Sequence, residues 1–424
     1  MKRKVIAFVA AALLAVSSGS LFANGSAEAP ATEQKVTELQ LWTWRPEDVD
    51  FYNGLIKQFE AANPDIKVTQ NAIKNTEYNT VLASSLSGGS GPDIFMGRAY
   101  GGLLTYVQSG YLEPMDKLYP EVKNYSKGAL GGASDSDGNI WGLPAVGQTL
   151  CVYYNKKIFE ENGITVPDTW DEFLADCKTL KAKGILPIAN GTKDGWTVET
   201  LLGVIGPAFY GPDFFDDVVA GKTNFLDPRF IGAINKIHEL TPYMPDMYTG
   251  ISYTDMQTSF INEMSAMFLG GSYEASYFKT QNPDLDFDIF PIPGTKASDP
   301  KLVSVYADMN WVVNAASQHM DADKKFIKFL ASKEVGQQII DKLQMVPWTP
   351  GVDASSSPFI SKVLELQKTS TPYLFLVGFR YQQPTGSSLW QAAGQGFMSG
   401  DLTAEQTAEQ VQKGIASYYK PFQK

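Results

Sequence analysis

Residues 39–68 read LQLWTWRPEDVDFYNGLIKQFEAANPDIKV, and the spacing of their apolar residues changes twice. Apolar and polar residues alternate over 38–44, which predicts a strand. From Phe51 the apolar residues recur at i, i+4 and i+8, which predicts an amphipathic helix that Asn63 and the following proline end. The alternation returns at Ile66. Two strands joined by one helix predict a parallel pair within one sheet.

The rest of the chain continues this exchange of strands and helices, so the sequence predicts an α/β fold class. Further predicted strands cover 92–96, 149–154, 185–189, 285–290 and 303–314. Further predicted helices cover 77–86, 101–109, 322–330, 336–343, 389–398 and 404–419. Thr169 and Glu172 have the spacing of a capping box and predict the start of another helix. The length of 424 residues is sufficient for two domains.

The N-terminal segment has the composition of a secretory signal. Three basic residues begin it, an apolar run over 5–15 follows, and small residues lead to Ala23. We expect cleavage near Ala23, a flexible leader over 24–35, and no lipid anchor, because no Cys lies near the cut. A buried N-terminal helix is the alternative. No second apolar stretch approaches 18 residues, so we expect a mature chain without a membrane span.

Charge and rare residues exclude several classes of function. The formal net charge of −11 disfavours nucleic acid or an anionic membrane as partner. Only two Cys, Cys151 and Cys177, and two His are present, so no zinc site or other metal site is expected. The two thiols are either free and buried or paired, which spacing alone does not decide. No GxSxG elbow supports a serine hydrolase, and no cofactor is predicted.

Five segments, in order and spread over nearly the whole mature chain, resemble the family 1 extracellular solute-binding proteins of ABC importers, the group that includes maltose-binding protein. These segments are LWTWRPEDVDFYNGLIKQFEAANPDIKV, GPDIFMGRAYGGLLTYVQSGYLEPM, GNIWGLPAVGQTLCVYYNKKIF with PDTWDEFLADCKTLKAKG, FINEMSAMFLGGSYEASYF and VVNAASQHMDADKKFIKFLAS.

The resemblance implies a two-lobed periplasmic-binding-protein fold, with central mixed sheets flanked by helices and a hinge of two to three crossing segments. The crossings map near 146–150, 304–310 and 345–350. The discontinuous lobes would then be 36–145 with 308–345, and 146–303 with 346–424. The family further implies a periplasmic or extracytoplasmic monomer that binds one solute, a mono- or oligosaccharide above all, and docks on ABC permease subunits.

Candidate ligand residues follow from strand order and from the resemblance. Ligands of open α/β sheets bind beyond the carboxyl ends of the strands, where the residues after 38–44 and after 92–96 lie. Sugars are bound by flat aromatic rings and planar hydrogen-bonding groups. By resemblance, the ligand-binding positions are Trp44, Arg45, Glu47, Arg98, Gln148, Trp196, Tyr273, Trp348 and Arg380. Trp42 is expected to face the core.

The chain departs from the maltose-binding pattern at three of these positions. Arg98 replaces an acid, Gln148 replaces a Glu, and Tyr273 replaces a Trp. Fewer acids and an added cation make a solute with an acidic substituent, or one like a glycerol phosphate, an alternative to a neutral sugar. Two other functions stay open at this point: a sensor subunit built on the same fold, and a glycoside hydrolase that uses two carboxylates.

Overall fold

The computed structural model describes residues 36–423. The predicted signal over 1–23 and the predicted leader over 24–35 lie outside these residues, so the structure does not test them. Within 36–423, no helix is both long enough and apolar enough to cross a membrane.

The strands and helices have the following bounds. The strands are β1 Thr37–Thr43, β2 Ile66–Ala72, β3 Ile94–Arg98, β4 Leu143–Asn155, β5 Leu186–Ile188, β6 Ser265–Gly271, β7 Phe287–Phe290, β8 Val303–Val313, β9 Val346–Pro347 and β10 Ser370–Pro372. The helices are α1 Val49–Ala62, α2 Asn75–Ser87, α3 Gly101–Gln108, α4 Met115–Leu118, α5 Lys127–Gly131, α6 Lys156–Glu161, α7 Trp170–Ala182, α8 Gly195–Tyr210, α9 Phe214–Val219, α10 Pro228–Glu239, α11 Tyr253–Ile261, α12 Ala275–Gln281, α13 Met320–Leu330, α14 Lys333–Gln338, α15 Pro358–Gln367, α16 Leu374–Gly378, α17 Gly386–Met398 and α18 Ala404–Ala416.

The first strand-helix-strand unit confirms its prediction. β1 pairs in parallel with β2 along its whole length, from Thr37 opposite Ile66 to Thr43 opposite Ala72. α1 lies between the two strands in sequence and buries Tyr52, Leu55, Ile56 and Phe59 on one face. β3 pairs in parallel with the other edge of β1. The carboxyl ends of β1 and β3 therefore lie side by side.

The two longest strands, β4 and β8, pair with each other and join the two halves of the sheet. The first half of β4 pairs with β8, from Leu143 opposite Trp311 to Thr149 opposite Val305. Its second half pairs instead with β6 and β7. β8 also pairs antiparallel with β3, and β9 pairs with β4 at Val146 and Gly147. The strand order is β2-β1-β3-β8-β4-β6-β5, a mixed sheet with β4 and β8 at its centre.

Apolar side chains collect in separate cores on the two sides of these central strands. One core draws on residues between Leu39 and Val146 and between Met309 and Met345. The largest core draws on residues between Leu150 and Ile292 and between Tyr373 and Ile415. A smaller third core lies around Tyr153. Two main cores are what a two-lobed chain requires, while the exact lobe boundaries stay a prediction.

Cys151 and Cys177 are both buried and free, so the alternative of a disulfide between them is not realised. Burial raises the pKa of both thiols, so each stays protonated and behaves as a small apolar side chain.

Candidate functional site

Trp44 and Arg98 meet at the carboxyl edge of the sheet. Trp44 directly follows β1 and Arg98 ends β3, which is the neighbouring parallel strand. The guanidinium carbon of Arg98 lies 4.0 Å from the centre of the Trp44 ring. The edge of Trp44 also packs against Tyr78, with ring centres 5.5 Å apart. Two residues that were predicted from their positions at strand ends are therefore in contact.

The burial of the two neighbouring tryptophans reverses the expected order. Trp44 is 4% exposed and belongs to a hydrophobic core, whereas Trp42 is only partly buried. β1 ends at Thr43, one residue earlier than predicted, so Trp44 no longer follows the alternation of the strand. Trp42 packs against this core as expected, but Trp44 is the more deeply buried of the two. Contact of Trp44 with a ligand stays a prediction.

Arg45 is held by acids from its own segment. Its Nε binds Asp48, and its Nη1 lies 3.4 Å from Oε1 of Glu47. Its Nη2 also donates to the backbone carbonyl of Tyr273, 3.5 Å away. Burial opposes the charged form of Arg45, but the two carboxylates outweigh it and raise the pKa of the guanidinium well above its usual value. Arg45 therefore connects the β1 end to the segment after β6.

Arg98, unlike Arg45, donates to side-chain amides rather than to carboxylates. Its Nε donates to Asn79 at 3.2 Å and its Nη2 donates to Asn75, both on α2. Burial lowers the pKa of Arg98, while the nearby carboxyl of Asp308 opposes that shift. The guanidinium is positioned by amides and by the Trp44 ring rather than by a direct ion pair.

Gln148 lies in β4 and is 1% exposed. Its Oε1 accepts a hydrogen bond from the Ser272 hydroxyl at 2.7 Å, and its Nε2 donates to Oδ2 of Asp308 at 3.3 Å. The same amide faces the sulfur of Met345 at 3.8 Å. The polar atoms of this predicted ligand residue are thus engaged within the protein.

Tyr273 and Trp196 line one pocket together with the buried acid Glu274. The rings of Trp196 and Tyr253 contact edge to face, with centres 4.6 Å apart. The Tyr253 hydroxyl donates to Glu274 at 2.7 Å, and Gln257 donates to the other carboxylate oxygen. Burial raises the pKa of Glu274 to about 7. Trp196 lies in the first turn of α8.

Trp348 packs against the crossing strand β4, and Arg380 lies beside Tyr100. An added Cβ at Gly147 would come within 2.8 Å of the Trp348 ring, so strand and ring are in close contact. The Arg380 guanidinium carbon lies 5.2 Å from the ring centre of Tyr100. Tyr100 has a φ of 57°, and its hydroxyl accepts a hydrogen bond from the backbone N–H of Ala307. Backbone strain of this kind is concentrated at functional sites.

Several residues of the site were missed by the sequence argument, chief among them the acids Asp308, Glu274 and Glu199. Asp308 had a signal, since it is an acid within an otherwise largely apolar strand. Glu199 had none, because it looks like an ordinary helical residue. It accepts from Ser387 and Gln391, both at 2.8 Å, and burial raises its pKa to about 7.

The arrangement provides aromatic faces, two guanidiniums, an amide and carboxylates. Among residues 36–423, no group of three or more His, Cys, Asp or Glu side chains is placed to hold a metal ion. Such a set of groups can bind a polar solute through stacking and hydrogen bonds. Which of the predicted residues touch a ligand is not tested by the structure and stays a prediction.

The chain is similar to known proteins over most of its length. The sequence profile described as bacterial extracellular solute-binding protein matches residues 45–337. The chain is 25% identical over 372 residues to a multiple sugar-binding protein of Streptococcus mutans, covering 83% of this chain and 84% of that protein. It is also 25% identical over 342 residues to an uncharacterized ABC transporter extracellular-binding protein of Pyrococcus horikoshii, covering 78% and 75% respectively.

A solved structure has the same architecture. A chitin oligosaccharide binding protein superposes with a TM-score of 0.77 and 24% identity, over 90% of this chain and 99% of that chain. This likeness shows the two-lobed fold that the sequence predicted.

Proposed function

This chain belongs to the bacterial extracellular solute-binding proteins, and we propose that it captures a neutral sugar between its two lobes and delivers it to an ABC permease. The observation that carries the proposal is the composition of the site. Trp44 and Tyr273 supply flat rings, while Arg98 and Asp308 supply a planar donor and acceptor beside them. A sugar is bound by aromatic rings that stack on its C–H faces and by planar groups that form hydrogen bonds with its hydroxyls.

The charge balance favours a neutral sugar over an acidic one. Arg45 is already paired with Asp48 and Glu47. Arg98 lies close enough to Asp308 for each group to shift the pKa of the other. A bound carboxylate or phosphate would therefore meet three acids as well as two cations, in a setting where burial strengthens the repulsion. The acidic or glycerol-phosphate-like solute is accordingly the weaker candidate.

The proposed mechanism is capture by closure of the lobes. A solute that contacts both walls stabilises the closed state by its higher affinity for that state. The central strands β4 and β8, with the β9 segment, would carry the rotation. The names of the relatives support a sugar as the solute and an ABC permease as the partner. Such a role asks for binding alone, without a covalent step in this protein.

We further propose that residues 1–23 direct export and that the mature protein acts as an extracytoplasmic monomer. The basic start, the apolar run and the small residues before Ala23 support this route. The described family is itself extracellular.

A thermal-shift panel tests the proposal. The probes are D-glucose, D-galactose, D-xylose, maltose, cellobiose and chitobiose, with D-glucuronate and glycerol 3-phosphate as anionic counterparts. A ligand at about 100 times its Kd adds about 2.7 kcal/mol to the free energy of unfolding, so at least one neutral sugar should raise the melting temperature. A shift with the anionic probes alone would contradict a neutral solute. No shift with any probe would contradict the proposed function.

A further inference from the structure

The five carboxyl groups around the site differ in how far the protein already satisfies them. Glu274 and Glu199 each accept two hydrogen bonds, and Asp48 and Glu47 pair with Arg45. Asp308 is different. Within residues 36–423 its carboxylate accepts only one side-chain hydrogen bond, from Gln148 at 3.3 Å. A carboxylate has about four acceptor positions, so Asp308 keeps most of its capacity unused.

The backbone directs Asp308 by an irregularity in the pairing of the central strands. On β4, Val146 is opposite Met309, but the next residue, Gly147, is opposite Ala307. Asp308 is the extra residue between these two pairs, which makes it the bulged position of β8. Bulges turn a side chain away from the regular direction of the strand and are frequent beside functional sites. Asp308 is partly exposed at this position, whereas Ala307 and Met309 on either side of it are buried.

Arg98 lies near this carboxylate without forming an ion pair with it, since Arg98 on β3 is opposite Met309, the residue that follows Asp308 on β8. The two groups are near enough to shift each other's pKa, yet they form no ion pair within 4.0 Å. The Nη1 of Arg98 donates to no residue in the described part of the chain, since Asn79 and Asn75 take the other two nitrogens. A free donor nitrogen and a carboxylate with unused acceptor positions therefore belong to neighbouring positions of two paired strands.

A hydroxyl group matches such a donor and acceptor, because it donates one hydrogen bond and accepts others at the same oxygen. Aromatic rings lie near both groups. Burial, with the charge of Asp308 adding to it, raises the pKa of the Tyr273 and Tyr306 phenols, and the Trp44 ring lies under Arg98.

We propose that Asp308 and Arg98 together read one ring hydroxyl of the bound sugar, and that Asp308 is the specificity-determining residue of the site. Gln148 is then a positioning residue, which holds one oxygen of Asp308 so that the other faces the solute. The inference rests on the proposed function, because it requires that the solute be a sugar. Asp308 would then supply an acidic acceptor in place of the acids that the maltose-binding pattern has at the positions of Arg98 and Gln148.

The test is a double-mutant cycle in which one change is made in the protein and the other in the sugar. The tightest-binding sugar of the thermal-shift panel and its monodeoxy derivatives are titrated calorimetrically against the wild-type protein and against Asp308→Asn. A hydrogen bond to a charged group corresponds to a loss of about 10- to 100-fold in affinity. We expect that loss in Asp308→Asn, and in the wild-type protein with one deoxy derivative. In the variant, that same derivative should bind about as well as the parent sugar.

Two controls separate this result from a structural effect. Asp323→Asn changes another buried acid, outside the site, and should leave the affinity unchanged. Asp308→Ser repeats the experiment if Asp308→Asn does not fold, as judged by its melting transition. Equal affinity of wild type and both Asp308 variants would overturn the inference, and so would an equal loss for the parent and every deoxy sugar. If no sugar in the panel binds the wild-type protein, the proposed function fails and the inference fails with it.

Discussion

Arg98 shows at the scale of one residue how position and charge act together. Its stem ends β3, its guanidinium lies on the Trp44 ring, and two asparagines of α2 fix its orientation. Burial lowers its pKa, but an arginine stays charged at neutral pH even so. Arg98 thus presents a charge whose place is fixed before the solute arrives.

Replacing that charge by an apolar side chain of similar length should weaken sugar binding. In Arg98→Met, the donor that faces Asp308 is lost while the packing on Trp44 is partly kept. We expect affinity to fall by about 10- to 100-fold, in line with a lost charged hydrogen bond. Calorimetric titration measures this fall. The matched control is Lys57→Met, an exposed cation of α1, which should bind sugar like the wild type. Equal affinity of the two variants would contradict the role given to Arg98.

A second titratable residue acts on stability rather than on binding. The Ser317 hydroxyl lies 2.8 Å from Oδ1 of Asp93 and 2.6 Å from Oδ2 of Asp323. One hydroxyl proton serves only one of these acceptors, so the other contact requires a protonated carboxyl. Burial raises the pKa of Asp323 to about 7, with the charge of Asp93 adding to the shift. Asp323 therefore carries the proton.

This arrangement makes stability depend on pH with a definite sign. The unfolded pKa of an aspartate is about 3.9, so between about pH 4 and pH 7 the folded state binds more protons at Asp323. The free energy of unfolding consequently falls as pH rises through that window. Asp323→Asn removes the titration and should gain on the order of 1–3 kcal/mol at pH 8.

Urea unfolding at pH 5, 6, 7 and 8 measures the effect, with Asp321→Asn as control. Asp321 lies in the same helix, but its side chain is fully exposed, so its variant should follow the wild-type profile. An Asp323→Asn profile as steep as that of the wild type would contradict the buried proton.

Local signals decided which elements could be predicted. The period of the apolar residues gave β1, α1 and β2, and the capping-box spacing gave the start of α7, where Thr169 and Glu172 exchange hydrogen bonds. The start of α8 was missed for a physical reason. Its N-cap residue Asp194 makes no capping bond and instead accepts from the backbone of Tyr253, a distant segment. Non-local contacts of that kind leave no local pattern.

The middle of β4 should tolerate little added volume. At Gly147 an added Cβ would lie 2.8 Å from the Trp348 ring, so Gly147→Ala must displace that ring or the strand itself. Overpacking of this kind costs about 1–3 kcal/mol. We expect a lower melting temperature and weaker sugar binding.

Gly232→Ala is the matched control for this substitution. Gly232 lies in α10, where an added Cβ meets nothing within 4 Å, and alanine is favoured in helices by about 1 kcal/mol. This variant should melt higher than the wild type. Opposite signs for the two changes support the tight crossing, whereas a neutral Gly147→Ala would contradict it.

For the whole molecule, the order of strands and helices was sufficient to predict the fold class and the edge of the sheet at which Trp44 and Arg98 meet. The surroundings of Asp308 were not predictable in this way. They depend on the pairing of β8 with β4 and β3, whose residues are far apart in sequence. The burial of Trp44 likewise depends on Arg98 and Tyr78, which other elements supply. Sequence pattern indicated the candidate site, and tertiary pairing determined which side chains lie beside the predicted residues.

The claim that the site holds a neutral sugar is tested most directly by calorimetric titration of the wild-type protein with matched neutral and acidic ligands. D-glucose with D-glucuronate, and D-galactose with D-galacturonate, differ mainly in one charged group. We expect one site per chain and binding of at least one neutral sugar about tenfold or more tighter than its acid, because Arg45 already has carboxylate partners and the Asp308 carboxylate near Arg98 would repel a second anion. Tighter binding of the acidic member of both pairs would contradict it.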